Sequence, residues 1–241
     1  MRELLSAVPA ELERRKRNRI ATYFPDTGPL RRALYPKHLE FFAAGGKHKP
    51  LPSCPDGCTG EPHRERCFMA GQRVGKTEAG AYETTLHLTG NYPHWWVGKR
   101  FNHPVKCWAA GDTNRTVREI IQEKLVGKLN DFGTGMVPGD LIIHRTTKQG
   151  IAEAIDTIYV RHASGGTSSL TLKSYQEGRE SFFGASIDFA WLDEESPEQV
   201  YLEVLMRTMT TGGGVILTFT PLQGLSAVVL SFLPDGLPGS T

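Results

Sequence analysis

The segment AGQRVGKTEAG, residues 70–80, contains most of a phosphate-binding loop. Such a loop has the pattern G-x-x-x-x-G-K-[ST] and lies between a buried strand and a helix. The run Gly75–Thr77 matches its second half, whereas Ala70 replaces the first glycine and Gly71 follows one position late. Backbone N–H groups of this segment can still surround a phosphate, and the N-terminus of a following helix adds its positive end. The segment therefore predicts a nucleotide-binding loop, unless it is a chance turn before a helix.

The flanking sequence favours a working loop. The apolar run RCFMA (66–70) is typical of a strand, and TEAGAYETTLHL (77–88) contains good helix formers with an amphipathic face. Lys76 would contact the β- and γ-phosphates of a nucleotide, and the Thr77 hydroxyl would be a ligand of Mg²⁺. The residues assigned to nucleotide binding are Gly71, Gln72, Arg73, Val74, Gly75, Lys76, Thr77 and Glu78.

A second segment, IDFAWLDEES (187–196), is an apolar strand followed by acids. Asp193 at the end of that strand would hold Mg²⁺ through its water shell. Glu194 would align and deprotonate the attacking water, which is the chemistry of an ATPase rather than a kinase or a GTPase. Glu195 is an alternative for that role, and a solvated acidic turn is the alternative for the whole segment. The phosphate-binding loop earlier in the chain favours the ATPase.

Composition restricts the class of protein. The 241 residues, 39% apolar and 22% charged, suit one α/β globular domain. We expect a cytosolic setting without a membrane span, because no apolar run reaches that length and residues 1–20 lack a secretory signal. Residues 1–50 hold 11 of the 28 lysines and arginines but 5 of the 26 acids. This basic arm either contacts nucleic acid or an acidic protein surface, or is a solvated helix face.

Strands alternate with helices along the chain, which predicts a mostly parallel sheet flanked by helices. The predicted strands are 66–70, 105–111, 187–194 and 213–221, with a hairpin formed by 156–162 and 168–175. The predicted helices lie within 3–19, 28–46, 77–88, 112–127 (with Ile120, Ile121 and Leu125 on one face) and about 197–210. The expected domain organisation is an N-terminal helical, basic arm (1–50), a Pro/Gly/Cys-rich loop (51–65), an ATPase core (66–233) and a linker tail (234–241).

The four residues Cys54, Cys58, His63 and Cys67 form a C-x₃-C-x₄-H-x₃-C pattern that is close to zinc-knuckle spacing. They predict a Zn²⁺ site, and a zinc-dependent nucleic-acid binder is one alternative function. The competing interpretation is a Pro-rich surface loop with reduced thiols. Cys107 lies in a strand-like run and is expected in the core.

Five segments in order resemble the large subunit of a tailed-phage or prophage terminase, the DNA-packaging motor. They are FMAGQRVGKTEAGAYE, WAAGDTNRTVREIIQ, LKSYQEGRESFFG, FAWLDEESP and LMRTMTTGGGVILTFTPLQGLS, and the resemblance covers about residues 30–233. It implies a P-loop NTPase of the additional-strand (ASCE, RecA-like) type with ATP and Mg²⁺ as cofactors. Asp193 is then the acidic residue that binds Mg²⁺, and Glu194 is the acidic residue that activates the attacking water.

The resemblance also implies roles for residues outside these acids. Arg73 would contact the γ-phosphate or a neighbouring acid. Arg179 would be offered in trans to the next subunit, or is simply an ion-paired surface arginine. LYPKHLEFF (34–42) occupies the family's adenine-contacting position, with His38 as the candidate contact. The coupling motif TFTP (218–221) contributes Thr218, Thr220 and Pro221.

As a terminase motor, the chain would form a ring of copies around double-stranded DNA and move it into a procapsid. Its expected partners are DNA gripped by phosphates, the portal protein, the terminase small subunit and other copies of itself. The expected setting is the host bacterial cytoplasm, with transient docking on the procapsid. The alternatives are a helicase or translocase of the same P-loop class, or a nucleotide-gated nucleic-acid-binding assembly module with little turnover.

The family's nuclease domain is not expected in this chain. Only 20 residues follow Pro221, and Asp235 is the sole acid among them. A single carboxylate cannot supply the clustered ligands of a two-metal site, so no nuclease activity is expected.

Overall fold

The computed structural model describes residues 11–233 except 52, 53, 55, 56 and 223. The expected linker tail at 234–241 and the first part of the charged helix expected over 3–19 lie outside the described residues. Within that predicted helix, residues 11–17 are helical.

A seven-stranded sheet forms the centre of the chain. Its strands are β1 (Glu65–Met69), β2 (Lys106–Gly111), β3 (Ile142–Thr147), β4 (Ile155–Arg161), β5 (Thr167–Ser174), β6 (Phe189–Asp193) and β7 (Gly214–Phe219). They are arranged in the order β1-β7-β6-β2-β5-β4-β3. The first five are parallel, and β5, β4 and β3 pair in antiparallel fashion. The predicted parallel strands and hairpin are confirmed, and β7 lies between β1 and β6 as an additional strand.

The edge strand β3 was not predicted. Its residues IIHRTT are mostly exposed, and Ile143 faces solvent. An edge strand that is covered on neither face gives no period-two apolar signal, so its sequence does not distinguish it from a loop.

Helices flank the sheet. They are α1 (Pro36–Ala43), α2 (Lys76–Thr89), α3 (Asn114–Thr116, Val117–Gln122 and Glu123–Val126 in succession), α4 (Glu198–Met209) and α5 (Ala227–Ser231). Within the part of the chain that is described, no helix is long and apolar enough to cross a bilayer.

The middle segment of α3 is a π-helical turn, which changes the face that the helix buries. Ile121 and Leu125 are buried as predicted, but Ile120 is 42% exposed. The prediction that all three share one buried face was wrong, because a π turn holds extra residues and rotates the positions before it relative to those after it.

The core lies on both faces of the central strands. All five residues of β6 and all six of β7 are buried, as expected for parallel strands covered on both sides. Phe189 and Trp191 pack on one face, whereas Ala190 and Leu192 pack on the other. Helix α2 is buried almost all round rather than amphipathic, and it packs against β6 and β7.

A buried ion cluster joins β1, α1 and α2. The Arg66 guanidinium donates to both carboxylate oxygens of Glu83, at 3.0 and 2.6 Å, and to the carbonyl of Phe41 at 2.9 Å. His87 Nε2 lies 3.2 Å from the same carboxylate. Burial alone would raise the pKa of Glu83, but the charge of Arg66 and the hydrogen bonds from both partners outweigh it and hold the pKa low. The cluster therefore fixes the strand that precedes the loop to the helix that follows it.

Candidate nucleotide-binding site

The loop at 70–75 and the predicted acid meet at the carboxyl edge of the sheet. The loop follows β1, Asp193 ends β6, and Thr218 lies in β7 between them. Thr218 is in register with Asp193 on one side and with Phe68 on the other. Open α/β sheets bind their ligands at this edge.

The tip of the loop faces solvent. Gln72, Arg73 and Val74 are exposed. Arg73 and Gly75 both have left-handed backbone conformations, with φ of 58° and 84°. Gly75 is the N-cap of α2, and it leaves the first N–H groups of that helix without a side-chain partner. The backbone N–H groups of a helix N-terminus in this state suit a phosphate.

The structure accommodates the missing first glycine. The Ala70 N–H donates to the Phe219 carbonyl at 3.4 Å, so this position continues the pairing between β1 and β7. Gly71 does not adopt a positive φ, and a Cβ added there would meet nothing within 4 Å. Neither position therefore requires glycine in this conformation.

Six of the predicted site residues are brought together by hydrogen bonds. Lys76 Nζ donates to the Gly71 carbonyl at 2.5 Å and to Thr220 Oγ1 at 2.9 Å, so it bridges the loop to the segment after β7. The Thr77 hydroxyl lies 3.2 and 3.3 Å from the two carboxylate oxygens of Asp193. Thr218 Oγ1 donates to Asp193 Oδ1 at 2.6 Å.

Asp193 is an unusual carboxyl group. It is 4% exposed, and this burial raises its pKa to about 7, against the opposing hydrogen bonds from Thr218 and Thr77. The neighbouring charge of Glu194 raises the pKa further. The main hydrogen-bond partners of this buried carboxylate are hydroxyl groups, which carry no charge. A bound cation would therefore stabilise its ionised form.

A close approach between α2 and β6 orients the Thr218 hydroxyl. A Cβ on Gly80 would lie 2.2 Å from Trp191 Nε1, so only glycine lets the helix come this near to the indole. Trp191 Nε1 in turn donates to Thr218 Oγ1 at 2.7 Å. Because that oxygen accepts from the indole, its own proton is directed to Asp193.

Sequence reasoning missed three residues around Asp193. Gly80 and Trp191 were interpreted only as helix and strand residues. Tyr175, whose hydroxyl donates to the Asp193 carbonyl at 3.0 Å, received no role within LKSYQEGRESFFG. The usable signal was the glycine in the middle of an otherwise strong helix, which indicates close packing.

Glu194 is exposed and follows Asp193 in a left-handed conformation, with φ of 63°. Its N–H donates to the Thr218 carbonyl at 3.0 Å. A non-glycine residue in this region stores about 1–3 kcal/mol of strain, and such residues cluster at functional sites. The alternative base, Glu195, is partly buried, and its Oε2 has no hydrogen-bond partner among the described residues.

Two of the predicted residues are engaged elsewhere. Arg179 donates to Glu203 on α4 at 3.0 and 3.2 Å, while Arg207 binds the other oxygen of the same carboxylate. This geometry matches the alternative interpretation of Arg179 as an ion-paired arginine. Glu78 accepts from the Tyr23 hydroxyl at 2.7 Å and pairs with Lys124, so its carboxylate is already bound.

His38 lies against the phosphate-binding loop. It is buried, packs edge-to-face on Phe68, and its Nε2 is 3.1 Å from where a Gly75 Cβ would stand. Burial lowers the pKa of His38, so the ring is neutral near pH 7. Its predicted contact with adenine stays a prediction.

The predicted zinc ligand set needs one correction. The ligand atoms of His48, Cys54, Cys58 and His63 lie within 4.8 Å of one another, whereas Cys67 is not among them. Cys67 belongs to β1 and packs against the core on one face of the sheet, where burial raises the pKa of its thiol to about 12. The prediction of Cys67 was wrong, because spacing alone did not reveal that the strand turns this thiol into the core.

The sheet order, the loop after β1 and the acid at the end of β6 define the fold of a P-loop NTPase of the additional-strand type. The sequence profile of the family described as "Terminase large subunit, T4likevirus-type, N-terminal" matches residues 67–238. The chain therefore belongs to the terminase large-subunit family.

One sequence relative agrees with this family. The "Terminase, large subunit" of Salmonella phage P22 is 40% identical over 196 residues, which are 73% of this chain and 39% of that protein. The chain thus spans about two fifths of the length of this relative. Among solved structures, one crystal form of the large terminase from a thermophilic bacteriophage has a TM-score of 0.45 and 15% identity, covering 76% of this chain and 38% of that one. Another crystal form of the same phage's large terminase, in complex with ADP, has a TM-score of 0.42 and 14% identity, covering 68% and 42%.

Proposed function

We propose that this chain binds ATP and Mg²⁺ at the edge formed by β1, β7 and β6, and hydrolyses ATP as the motor part of a terminase large subunit. The observation that carries the proposal is the convergence of Lys76, Thr77, Asp193 and Thr220 through hydrogen bonds of 2.9–3.3 Å. The proposed ATPase core occupies residues 66–233; the family match covers residues 67–238 and so extends five residues into the segment proposed as a linker tail.

The residues present fit Mg²⁺. Thr77 and Asp193 offer hard oxygen atoms 3.2 and 3.3 Å apart, and Mg²⁺ prefers one or two such ligands together with phosphates and water. Bound Mg²⁺ would neutralise charge on the phosphate oxygens. In the proposed site, Asp193 and Thr77 hold it and Thr218 orients the carboxylate.

The remaining residues act on the nucleotide and the water. Lys76 exchanges its contacts with Gly71 and Thr220 for the β- and γ-phosphates, and the N–H groups of the loop surround the same phosphates. Arg73, which is exposed at the tip of the loop, approaches the γ-phosphate. Glu194 orients the attacking water and accepts its proton. The water oxygen bonds to the γ-phosphorus while the bond from that phosphorus to the β–γ bridging oxygen breaks, and ADP and phosphate leave.

The end of β7 and the two residues after it (218–221) are proposed to couple hydrolysis to motion. Thr220 is bonded to Lys76, and Thr218 is bonded to Asp193. Because both partners change their contacts when phosphate is bound or lost, the segment at 218–221 is placed to respond to that change. Pro221 is exposed and carries the change to the chain that follows.

The motor is proposed to work as a ring of copies on double-stranded DNA, together with a portal protein and the small subunit. Arg179 could reach a neighbouring site only after leaving Glu203, and Arg207 would still neutralise that carboxylate. The proposed setting is the host bacterial cytoplasm, docked on a procapsid. Contacts to the phosphates rather than to the bases would allow the motor to move DNA of any sequence.

Nucleotide binding is tested first with Lys76→Ala and a fluorescent ATP analogue in Mg²⁺ buffer. The matched control is Lys106→Ala. Lys106 is exposed at the first position of β2, at the edge of the sheet opposite the phosphate-binding loop. We expect the Lys76 variant to lose about tenfold or more in affinity and the control to bind as the wild type does. Equal binding by both variants would overturn the site.

The motor function is tested by steady-state ATP turnover with two duplex DNAs of different base composition. We expect both DNAs to stimulate turnover equally, with an effect that declines as salt is raised. Nucleotide binding without turnover, even with DNA and at high protein concentration, would favour the nucleotide-gated assembly module instead.

A further inference from the structure

Four side chains that the proposed ATPase does not use meet in the segment between α1 and β1. They are His48, Cys54, Cys58 and His63, and their ligand atoms all lie within 4.8 Å of one another. All are partly buried, and the cysteines are free thiols. Two thiols and two imidazoles at this range are the donor set of a Cys₂His₂ metal site.

The distances between the donor atoms agree with a tetrahedron. Zn–S bonds of about 2.3 Å and Zn–N bonds of about 2.0–2.1 Å at the tetrahedral angle place sulfur and nitrogen about 3.5–3.6 Å apart. His48 Nε2 lies 3.3 Å from Cys54 Sγ and 3.7 Å from Cys58 Sγ. His63 Nε2 lies 3.6 and 3.7 Å from the same two sulfurs. All four sulfur–nitrogen edges therefore match one central ion.

Neighbouring backbone groups form hydrogen bonds with these ligand side chains. His48 Nδ1 lies 2.8 Å from the Gly46 carbonyl, and because a carbonyl only accepts, Nδ1 carries the proton and leaves the Nε2 lone pair free. The N–H groups of Leu51 and Gly60 donate to the sulfurs of Cys54 and Cys58, each at 3.4 Å. Such outer contacts fix the histidine tautomer and favour thiolate, as in metal sites.

Backbone hydrogen bonds also hold the two ends of the segment 48–63 in place. The His48 N–H donates to the Gly60 carbonyl at 2.9 Å. Gly60 has φ of 80°, and a Cβ added to it would lie 2.1 Å from the His48 carbonyl oxygen, so this position requires glycine. The His63 N–H donates to the Ala44 carbonyl at 2.8 Å. The cluster thus lies where the end of α1 is joined to the start of β1, two residues before that strand.

We propose that His48, Cys54, Cys58 and His63 bind one Zn²⁺ as a structural site. Four protein ligands complete the tetrahedral shell and leave no open position for catalysis. The soft S₂N₂ set excludes Mg²⁺ and Ca²⁺ as natural occupants. The ion would hold α1 against β1 and so support the strand that leads into the phosphate-binding loop.

The test measures the metal content of the full chain, purified without chelators, by elemental analysis for zinc and iron. We expect about one zinc per chain in the wild type, and loss of zinc in Cys54→Ser and in His48→Gln. Cys67→Ser is the matched control, because it removes a thiol outside the cluster and should retain zinc. The measurement needs no nucleotide, so its outcome is independent of the proposed ATPase.

A second measurement covers variants that fail to fold. The wild-type protein, freed of zinc, is titrated with Co²⁺, whose tetrahedral sulfur coordination gives intense visible bands. We expect saturation at one Co²⁺ per chain and displacement of the bands by Zn²⁺. Absence of zinc together with absence of these bands would overturn the proposal. Loss of metal in Cys67→Ser with retention in His48→Gln would overturn the ligand set.

Discussion

The buried hydroxyl of Thr218 gives a sharp test of the site, through the substitution Thr218→Val. Valine keeps the shape of threonine but removes the hydroxyl that accepts from Trp191 Nε1 at 2.7 Å and donates to Asp193 Oδ1 at 2.6 Å. Thr218 is 1% exposed, so water cannot replace either bond. The change therefore leaves one buried donor and one buried acceptor with fewer partners.

The magnitude follows from those two bonds. A buried group left without its partner costs about 1–3 kcal/mol, and the loss of a single hydrogen bond costs about 1 kcal/mol. The Trp191 N–H loses its acceptor, whereas Asp193 keeps the Thr77 hydroxyl, so the free energy of unfolding should fall by about 2–4 kcal/mol. The loss is largest near pH 8, where the Asp193 carboxyl, with its pKa raised to about 7 by burial, is ionised. Because the Thr218 hydrogen bond lowers that pKa, valine should raise it further.

The assay is urea unfolding at pH 8, followed by tryptophan fluorescence, with Thr218→Ser as the control. Serine keeps the hydroxyl and loses one methyl group, which costs about 1 kcal/mol. Serine as damaging as valine would refute the hydrogen-bond argument. A valine variant within about 0.5 kcal/mol of the wild type would refute it as well.

Three further predictions concern charge. Glu83→Gln leaves Arg66 buried without its counter-charge and should lower the free energy of unfolding by about 3–5 kcal/mol in urea unfolding, whereas the exposed Glu119→Gln should leave it unchanged. Burial lowers the pKa of His87, so the ring must take up a proton on unfolding below about pH 6.5. Stability should thus fall from about pH 7 to 5, and His87→Gln should reduce the slope in thermal or urea unfolding by up to about 1.4 kcal/mol per pH unit; an unchanged slope would contradict this. If Arg179 acts in trans, Arg179→Ala should reduce ATP turnover at high protein concentration by at least about tenfold. The unfolding midpoint should stay almost unchanged, because the Arg179 side chain is 47% exposed. Unaltered turnover would show that Arg179 serves only in its ion pair with Glu203.

The sequence predicted the parts of the site whose chemistry is local. Lys76 and Thr77 follow from one short motif, and Asp193 follows from an acid at the end of an apolar strand. Parallel strands place their carboxyl ends at one edge, so these residues were expected to meet. The hydrogen bonds among them are consistent with that expectation.

The parts that were missed depend on contacts between distant segments. Trp191 looks like any core residue until α2 brings Gly80 within reach of its indole. His48 lies outside the run of cysteines that suggested zinc, and only the fold places it beside Cys54. Cys67 fitted the spacing but belongs to a strand, whose alternation turns its thiol into the core.

The most direct test of the proposed ATPase is steady-state ATP hydrolysis over a series of protein concentrations, with Glu194→Gln measured alongside. The expected result is a turnover per subunit that rises with concentration and vanishes in the variant, because in the proposed mechanism Glu194 activates the water and a neighbouring subunit completes the site. Equal turnover in the variant and the wild type would contradict the assignment of Glu194.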